Sequence, residues 1–127
     1  MYTVKANIPK NRLYVTMNGF FQYKEMKECT DKTIEESRKL KPGYDVITDI
    51  SNFKAVGPEA LAEVKRGQAY FRQSGIRHGI RVVGNANLAG GQFDRVGKTV
   101  AYLPETVKTV AEAEKILDSL PAAAVAR

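Results

Sequence analysis

The stretch that decides the fold is 44–74, YDVITDISNFKAVGPEALAEVKRGQAYFRQS. Its first part, 44–50, is rich in valine and isoleucine and predicts a strand that is covered on both faces. A loop then ends at Gly57, and Pro58 suits the first position of a helix. The following residues form a stripe at helical spacing: Leu61, Val64, Gln68 and Phe71. The stretch is therefore a strand, a loop and an amphipathic helix that ends at Gly75.

The segment before this stretch predicts a hairpin and one helix. The ranges 2–8 and 13–21 carry residues that favour strands, and the polar link 9–12 between them is typical of a turn. The range 22–40 shows helical spacing and ends at Lys41-Pro42-Gly43, where proline and glycine stop a helix.

The segment after the stretch repeats the order of strand and helix. It contains a strand at 76–84, a helix at 91–102, a strand at 106–108 and a last helix that begins with a capping box of Thr109 and Glu112. The element order ββαβαβαβα predicts an α/β fold with a single mixed sheet. In this fold an N-terminal hairpin precedes parallel strands, and about four helices pack on the sheet.

Size and composition fit one globular domain. The chain has 127 residues, of which 43% are hydrophobic and 27% charged, so we expect a domain over 1–120 and a disordered tail over 121–127. No apolar run reaches the length of about 20 residues that a membrane span needs. The N-terminus lacks the pattern of a secretory signal, which favours a cytoplasmic location. A single Cys29 and a single His78 argue against a disulfide and a zinc site.

Positive charge is concentrated in one part of the chain. Seven of the basic residues lie between Lys65 and Lys98, and only Asp94 opposes them, so this segment carries 7 − 1 = +6, the net charge of the whole chain. Such a face is either an ordinary solvated surface or a site that attracts an anion.

The fragment VITDISNFKAVGPEAL, with the element order, resembles the STAS domain, a module shared by sulfate transporters and anti-sigma-factor antagonists. The resemblance covers about 2–120 and is strongest to small stand-alone bacterial proteins related to those antagonists. Asp49-Ile50-Ser51 matches the Asp-aliphatic-Ser with which a family strand ends. Gly57-Pro58-Glu59-Ala60-Leu61 occupies, at the same spacing, the position of the family's Asp-Ser-Ser-Gly-Leu.

Glu59 stands where the antagonists carry a phosphorylated serine or threonine, so phosphoserine switching at this position is not expected. A carboxylate in the first turn of a helix is stabilised by the helix dipole, as a phosphate would be. Glu59 is therefore either a permanently anionic counterpart of the phosphosite or a common stabilising residue. Ser51 is expected to bond backbone at the start of the loop rather than to accept phosphate.

The resemblance implies a regulatory module that binds a protein partner and has no catalytic activity. It places the docking site at the loop and the start of the next helix, with these residues: Asp49, Ser51, Asn52, Gly57, Pro58 and Glu59. Homodimer formation is compatible with the sequence.

The alternative is a protein that binds a small molecule, an anion or a lipid headgroup through the basic segment. Its site would consist of Arg81, Asn85, Asn87, Arg95 and Lys98, because guanidinium groups and lysines pair with anionic groups. Nucleic acid is a less favoured partner, since the charges lack an accompanying set of aromatic residues. No cofactor motif is present: from Gly91 to Gly97-Lys98-Thr99 there are five intervening residues, and a phosphate loop has four.

Overall fold

The computed structural model of the chain describes residues 1–85 and 88–121. The elements, in chain order, are β1 (Tyr2–Asn7), β2 (Arg12–Gly19), α1 (Tyr23–Ser37), β3 (Asp45–Phe53), α2 (Pro58–Ser74), β4 (His78–Val82), α3 (Leu88–Thr99), β5 (Glu105–Val107) and α4 (Val110–Asp118).

The five strands form one mixed sheet in the order β1-β2-β3-β4-β5. The β1 and β2 strands pair in antiparallel fashion, whereas every pair from β2 to β5 is parallel. Each parallel connection contains one helix, as a parallel pair requires a crossover. This arrangement confirms the predicted fold class, including the N-terminal hairpin, the later parallel strands and the four helices.

Helices cover the two faces of the sheet unequally. Helices α1, α2 and α3 pack on one face, over a core that includes Leu13, Val46 and Phe71. Helix α4 packs on the opposite face, where Ile80 and Leu117 belong to a smaller apolar cluster. The central strand β3 is therefore covered on both faces, as its run of valine and isoleucine predicts.

Helix α1 also protects the free edge of the sheet. The N–H of Ala6 on the edge strand β1 donates to a carboxylate oxygen of Glu36 at 3.0 Å. The ammonium group of Lys39 lies 2.6 Å from the same carboxylate. Hydrogen bonds from Lys39 and from the Ala6 N–H lower the pKa of Glu36, so the carboxylate stays charged and satisfies a backbone group that the sheet leaves unpaired.

The ends of α2 and α4 follow the local sequence signals. Pro58 is the first residue of α2, and Gly75 ends it with a left-handed φ of 77°. Thr109 caps α4, since its hydroxyl oxygen accepts from the N–H of Glu112 at 3.2 Å. The predicted N-cap at Thr109 and the predicted helix end at Gly75 are both confirmed, but the Glu112 carboxylate accepts from the Thr109 hydroxyl at 3.1 Å and not from its backbone N–H as in a capping box.

Helix α3 begins and ends three residues earlier than the predicted range 91–102. Its end is fixed by Ala101, whose φ of 58° turns the chain out of the helix. The N–H of Tyr102 then donates to the carbonyl of Gly97 at 2.9 Å, which closes the last turn as in a Schellman motif. Alanine is an unusual residue for this conformation, so no residue before Pro104 signals the end of the helix.

No helix within residues 1–85 and 88–121 is long and apolar enough to cross a membrane. The predicted tail at 121–127 lies outside the described residues, except for Pro121.

We expect Gly67→Ala to raise the free energy of unfolding by about 1 kcal/mol, because glycine is a poor residue for the middle of a helix. Gly67 is buried in α2, and an added Cβ would meet Thr30 at 3.6 Å, which is ordinary contact. Urea denaturation followed by circular dichroism would measure the change. A loss of stability would show that the contact between α1 and α2 has no room for a methyl group.

Candidate functional site

The predicted docking residues lie where β3 ends and α2 begins, at the carboxyl edge of the parallel strands. Ser51 and Asn52 belong to the end of β3, which runs three residues beyond the predicted strand 44–50. Gly57 is the residue before α2, and Asn52, Gly57, Pro58 and Glu59 are all exposed. This edge is where open α/β sheets bind ligands.

Asp49 and Ser51 form a local pair. The Ser51 hydroxyl donates to a carboxylate oxygen of Asp49 at 2.6 Å, and the Ser51 N–H donates to the same oxygen at 3.0 Å. The expectation that the Ser51 side chain bonds backbone is therefore wrong, because the nearby carboxylate is the stronger acceptor. These two hydrogen bonds fix the backbone conformation near the end of β3.

The loop between β3 and α2 is exposed but fixed by hydrogen bonds from two neighbours. The N–H of Lys54 donates to the carbonyl of Gly19 at 3.0 Å, which ties the loop to the end of β2. The side-chain amide of Gln92 on α3 accepts from the Val56 N–H at 3.0 Å and donates to the Val56 carbonyl at 2.8 Å. Three backbone groups of a surface loop thus have protein partners rather than water.

Helix α2 begins without a side-chain cap. Gly57 offers no side chain, and Pro58 has no N–H, so the dipole of the helix start acts mainly on Glu59. Glu59 is exposed and makes no ion pair with the described residues. Glu59 therefore presents a free negative charge beside the loop. This fits an anionic counterpart of the family's phosphosite, and it equally fits a residue that only stabilises the start of the helix.

Two exposed apolar side chains flank the loop. Phe20 is 79% exposed and follows Gly19, to which the loop is bonded. Leu88 is 74% exposed and lies one helical turn before Gln92, on the side of α3 that contacts the loop. Sequence patterns could not find this arrangement, since residues from β2 and α3 meet the loop only in the folded chain.

The predicted anion site is divided by the fold. Arg81 is 2% exposed, and its guanidinium group forms an ion pair with Asp94 and lies 5.4 Å from the centre of the Phe93 ring. The prediction that Arg81 belongs to an exposed basic face is wrong, because β4 carries the side chain under α3. Arg95 and Lys98 are exposed on α3.

Asn85 is exposed and follows Gly84, which packs against Ser51: a Cβ on Gly84 would lie 3.2 Å from the Ser51 Cβ. The loop after β4, which was predicted to contribute to an anion site, therefore contacts the end of β3 next to the predicted docking residues. Asn87 lies outside the described residues.

Ion pairs neutralise part of the basic segment. Arg66 pairs with Asp31 and Glu63, and Arg77 pairs with Asp45. Four basic residues remain exposed and without an ion pair to the described part of the chain: Lys65, Arg72, Arg95 and Lys98. On α2, Lys65 and Arg72 lie on the same stripe as Gln68, which donates to the Phe93 carbonyl of α3 at 3.2 Å. The four free cations thus lie on α2 and α3, the two helices that contact each other along a seam that includes Gln68.

Reactive groups are few in the described structure. Burial raises the pKa of the Cys29 thiol to about 12, so at neutral pH it is protonated and a poor nucleophile. His78 lies 3.1 Å from the carboxylate of Glu105 at the surface. Residues 1–85 and 88–121 contain no group of three or more histidine, cysteine, aspartate or glutamate side chains that could hold a metal ion.

Comparisons with known proteins support the fold only. No model of a known protein family matches the chain, and a search of curated proteins finds no significant match. Among solved structures, the chain is similar to the NMR structure of the protein TM1081, with a TM-score of 0.62 and 14% sequence identity. The similarity covers 94% of this chain and 90% of that one. At this identity the likeness shows a shared α/β architecture, and the resemblance to STAS domains stays a prediction.

Proposed function

We propose that the chain is a non-catalytic regulatory module that binds a protein partner at the loop between β3 and α2. The observation that carries this proposal is an exposed loop whose backbone is held by Gly19 on one side and Gln92 on the other. A loop fixed before binding loses little conformational entropy when a partner docks, so its contacts contribute more fully to affinity.

Phe20 provides the apolar centre that such a surface needs. Exposed aromatic side chains supply much of the binding energy at protein interfaces, particularly when polar groups surround them. The strand register places Asn52 opposite Asn18, two residues before Phe20, and the exposed Glu59 begins the helix after the loop. A partner with an apolar pocket beside a positive or hydrogen-bond-donating group would complement this surface.

We assign no catalytic step to this surface. The Ser51 hydroxyl donates to the Asp49 carboxylate two residues away on the same strand, and no third side chain of the described residues is hydrogen-bonded to this pair to orient it as in a catalytic triad. A phosphate on Ser51 would also lie beside the Asp49 carboxylate, where like charges repel. Regulation through Ser51 phosphorylation is therefore not part of the proposed function. The cytoplasmic location of the protein stays a prediction.

Capture of a partner from a lysate of the source cells tests the docking surface. We expect Phe20→Ser and Glu59→Lys each to weaken retention of a specific protein at least tenfold, and Ser51→Ala to weaken it less. Leu103→Ser and Glu28→Lys are matched controls, since they make the same kinds of change at exposed positions on other parts of the surface. The docking surface would be excluded if the partner protein is retained by both Phe20→Ser and Glu59→Lys. It would also be excluded if the control variants lose as much of the partner as these two variants do.

A second candidate function is the binding of an anionic molecule or lipid headgroup along the seam between α2 and α3. The observation that favours it is the set of four exposed cations without ion pairs described above. Arg95→Ala with Lys98→Ala should then reduce sedimentation with vesicles that contain phosphatidylglycerol. Lys10→Ala with Lys41→Ala is the control, because both double variants lower the net charge from +6 to +4, that is 6 − 2. Equal losses in the two variants would indicate nonspecific attraction.

A further inference from the structure

A cavity of about 50 Å³ lies between the sheet and helices α1, α2 and α3. Its floor is a row of side chains that the strand register places side by side: Val15 on β2, Thr48 on β3 and Arg81 on β4. Gln68 of α2 and Phe93 of α3 close it from above. The volume equals the space of roughly three to five water molecules.

Two of the three floor residues are polar, which is unusual for this position. Parallel strands covered by helices normally carry apolar side chains, and the neighbours Val46 and Ile50 on β3 are completely buried. Thr48 and Arg81 interrupt that pattern in the middle of the sheet. Such departures from the rule for buried strands are typical of functional positions.

Gln68 provides an unused hydrogen-bond acceptor in the roof of the cavity. The side chain is 4% exposed, and its amide nitrogen donates to the Phe93 carbonyl at 3.2 Å. Its amide oxygen is buried and has no hydrogen-bond partner among the described residues. An unpaired buried carbonyl is unfavourable, so a molecule in the cavity that donates to this oxygen would be stabilised.

Arg81 provides the complementary donors. Its Nη1 nitrogen bonds Asp94, which uses one of the five N–H donors of the guanidinium group. Because Asp94 already balances the charge, an anion in the cavity would add an uncompensated buried negative charge. A neutral molecule with a carbonyl or hydroxyl oxygen would accept from Arg81 without that penalty.

We propose that this cavity is a binding site for a small neutral molecule with a carboxamide-like head and a short aliphatic body. The N–H of the head donates to the amide oxygen of Gln68, and its carbonyl accepts from Arg81. The aliphatic body contacts the apolar wall, which includes Val64 and Phe71. This site is separate from the docking surface and from the exposed cations of the seam.

Propionamide and propionate are suitable probes because they have nearly the same shape and differ in charge. In NMR titrations of the isotope-labelled chain, propionamide should shift the side-chain signals of Gln68 and Arg81 with a saturation midpoint on the order of millimolar. Propionate at the same concentrations should leave these signals unchanged, whereas the exposed cations would respond to it.

Two variants test the assignment. Gln68→Leu removes the acceptor, and Val64→Leu adds a methylene group to the cavity wall, so each should weaken propionamide binding at least threefold. Gln73→Ala, an exposed change on the same helix, should leave the midpoint unchanged. The proposal is overturned if the shifts do not saturate, if both cavity variants bind as the wild type does, or if propionate competes equally. Persistent contacts from bound water to Gln68, unaltered by propionamide, would identify the cavity as a hydration site only.

Discussion

Replacement of Arg77 by methionine should lower the free energy of unfolding by about 3 kcal/mol. Asp45 is 2% exposed, and its two carboxylate oxygens accept from the Arg77 Nε at 3.0 Å and Nη2 at 2.5 Å. Methionine keeps much of the side-chain volume but leaves a buried carboxylate without these donors. The cost arises mainly from that uncompensated charge, because the arginine itself is partly exposed.

The double variant Arg77→Met with Asp45→Leu separates charge from packing. If the buried carboxylate causes the loss, removing it should restore most of the stability, since apolar pairs often replace buried ion pairs at little cost. Urea denaturation followed by circular dichroism suits a chain that has no tryptophan. A single-variant loss below about 1 kcal/mol would show that water takes over the role of Arg77.

The sequence predicts those parts of the fold that local patterns determine. The run from Tyr44 to Ile50, the proline at the start of α2 and the glycine at its end are signals within a few residues of the structure they specify. The predicted end of α3 was wrong because it depends on Ala101, a residue with no intrinsic preference for a left-handed turn.

The loop at which we propose that a partner docks was located from sequence, but the contacts that hold this loop in place were not. Asp49 and Ser51 are two residues apart, so a motif can capture them together. Gln92 is 36 residues from Val56, and glutamine on a helix surface gives no signal of its own. Phe20 likewise has the appearance of an ordinary strand residue until the fold exposes it at the end of β2.

Charge placement is where sequence reasoning failed most. The seven basic residues of the segment form one cluster in sequence, yet Arg66 and Arg77 find their partners on α1 and β3. Arg81 is carried into the interior by the alternation of β4, in which every second side chain faces α1, α2 and α3. The net charge of the segment predicted a basic face from Lys65 to Lys98, but it overestimated the number of exposed, unpaired cations on that face.

Gly97→Ala should lower the free energy of unfolding by about 3 kcal/mol, although alanine favours helices. A Cβ on Gly97 would lie 2.5 Å from the backbone carbonyl oxygen of Tyr102, a contact that requires the backbone to move. The chain has little freedom to do so, because the Tyr102 N–H is bonded to the Gly97 carbonyl and the Tyr102 ring is buried against Phe71. Overpacking of this kind costs roughly 1–3 kcal/mol or more.

Two comparisons show whether the close approach at Gly97 is the cause. Gly91→Ala in the same helix has ordinary contact space, 3.6 Å to Arg95, and should be neutral or stabilising by up to about 1 kcal/mol. In Gly79→Ala, the added Cβ would lie 2.5 Å from the Tyr102 hydroxyl. Adding Tyr102→Phe removes this hydroxyl and should restore part of the stability that Gly79→Ala loses. The same phenylalanine cannot rescue Gly97→Ala, since that contact is with the backbone. Gly97→Ala and Gly91→Ala could instead change the free energy of unfolding by the same amount. The close approach of Tyr102 would then not restrict position 97, and helix propensity alone would determine the effect of the substitution.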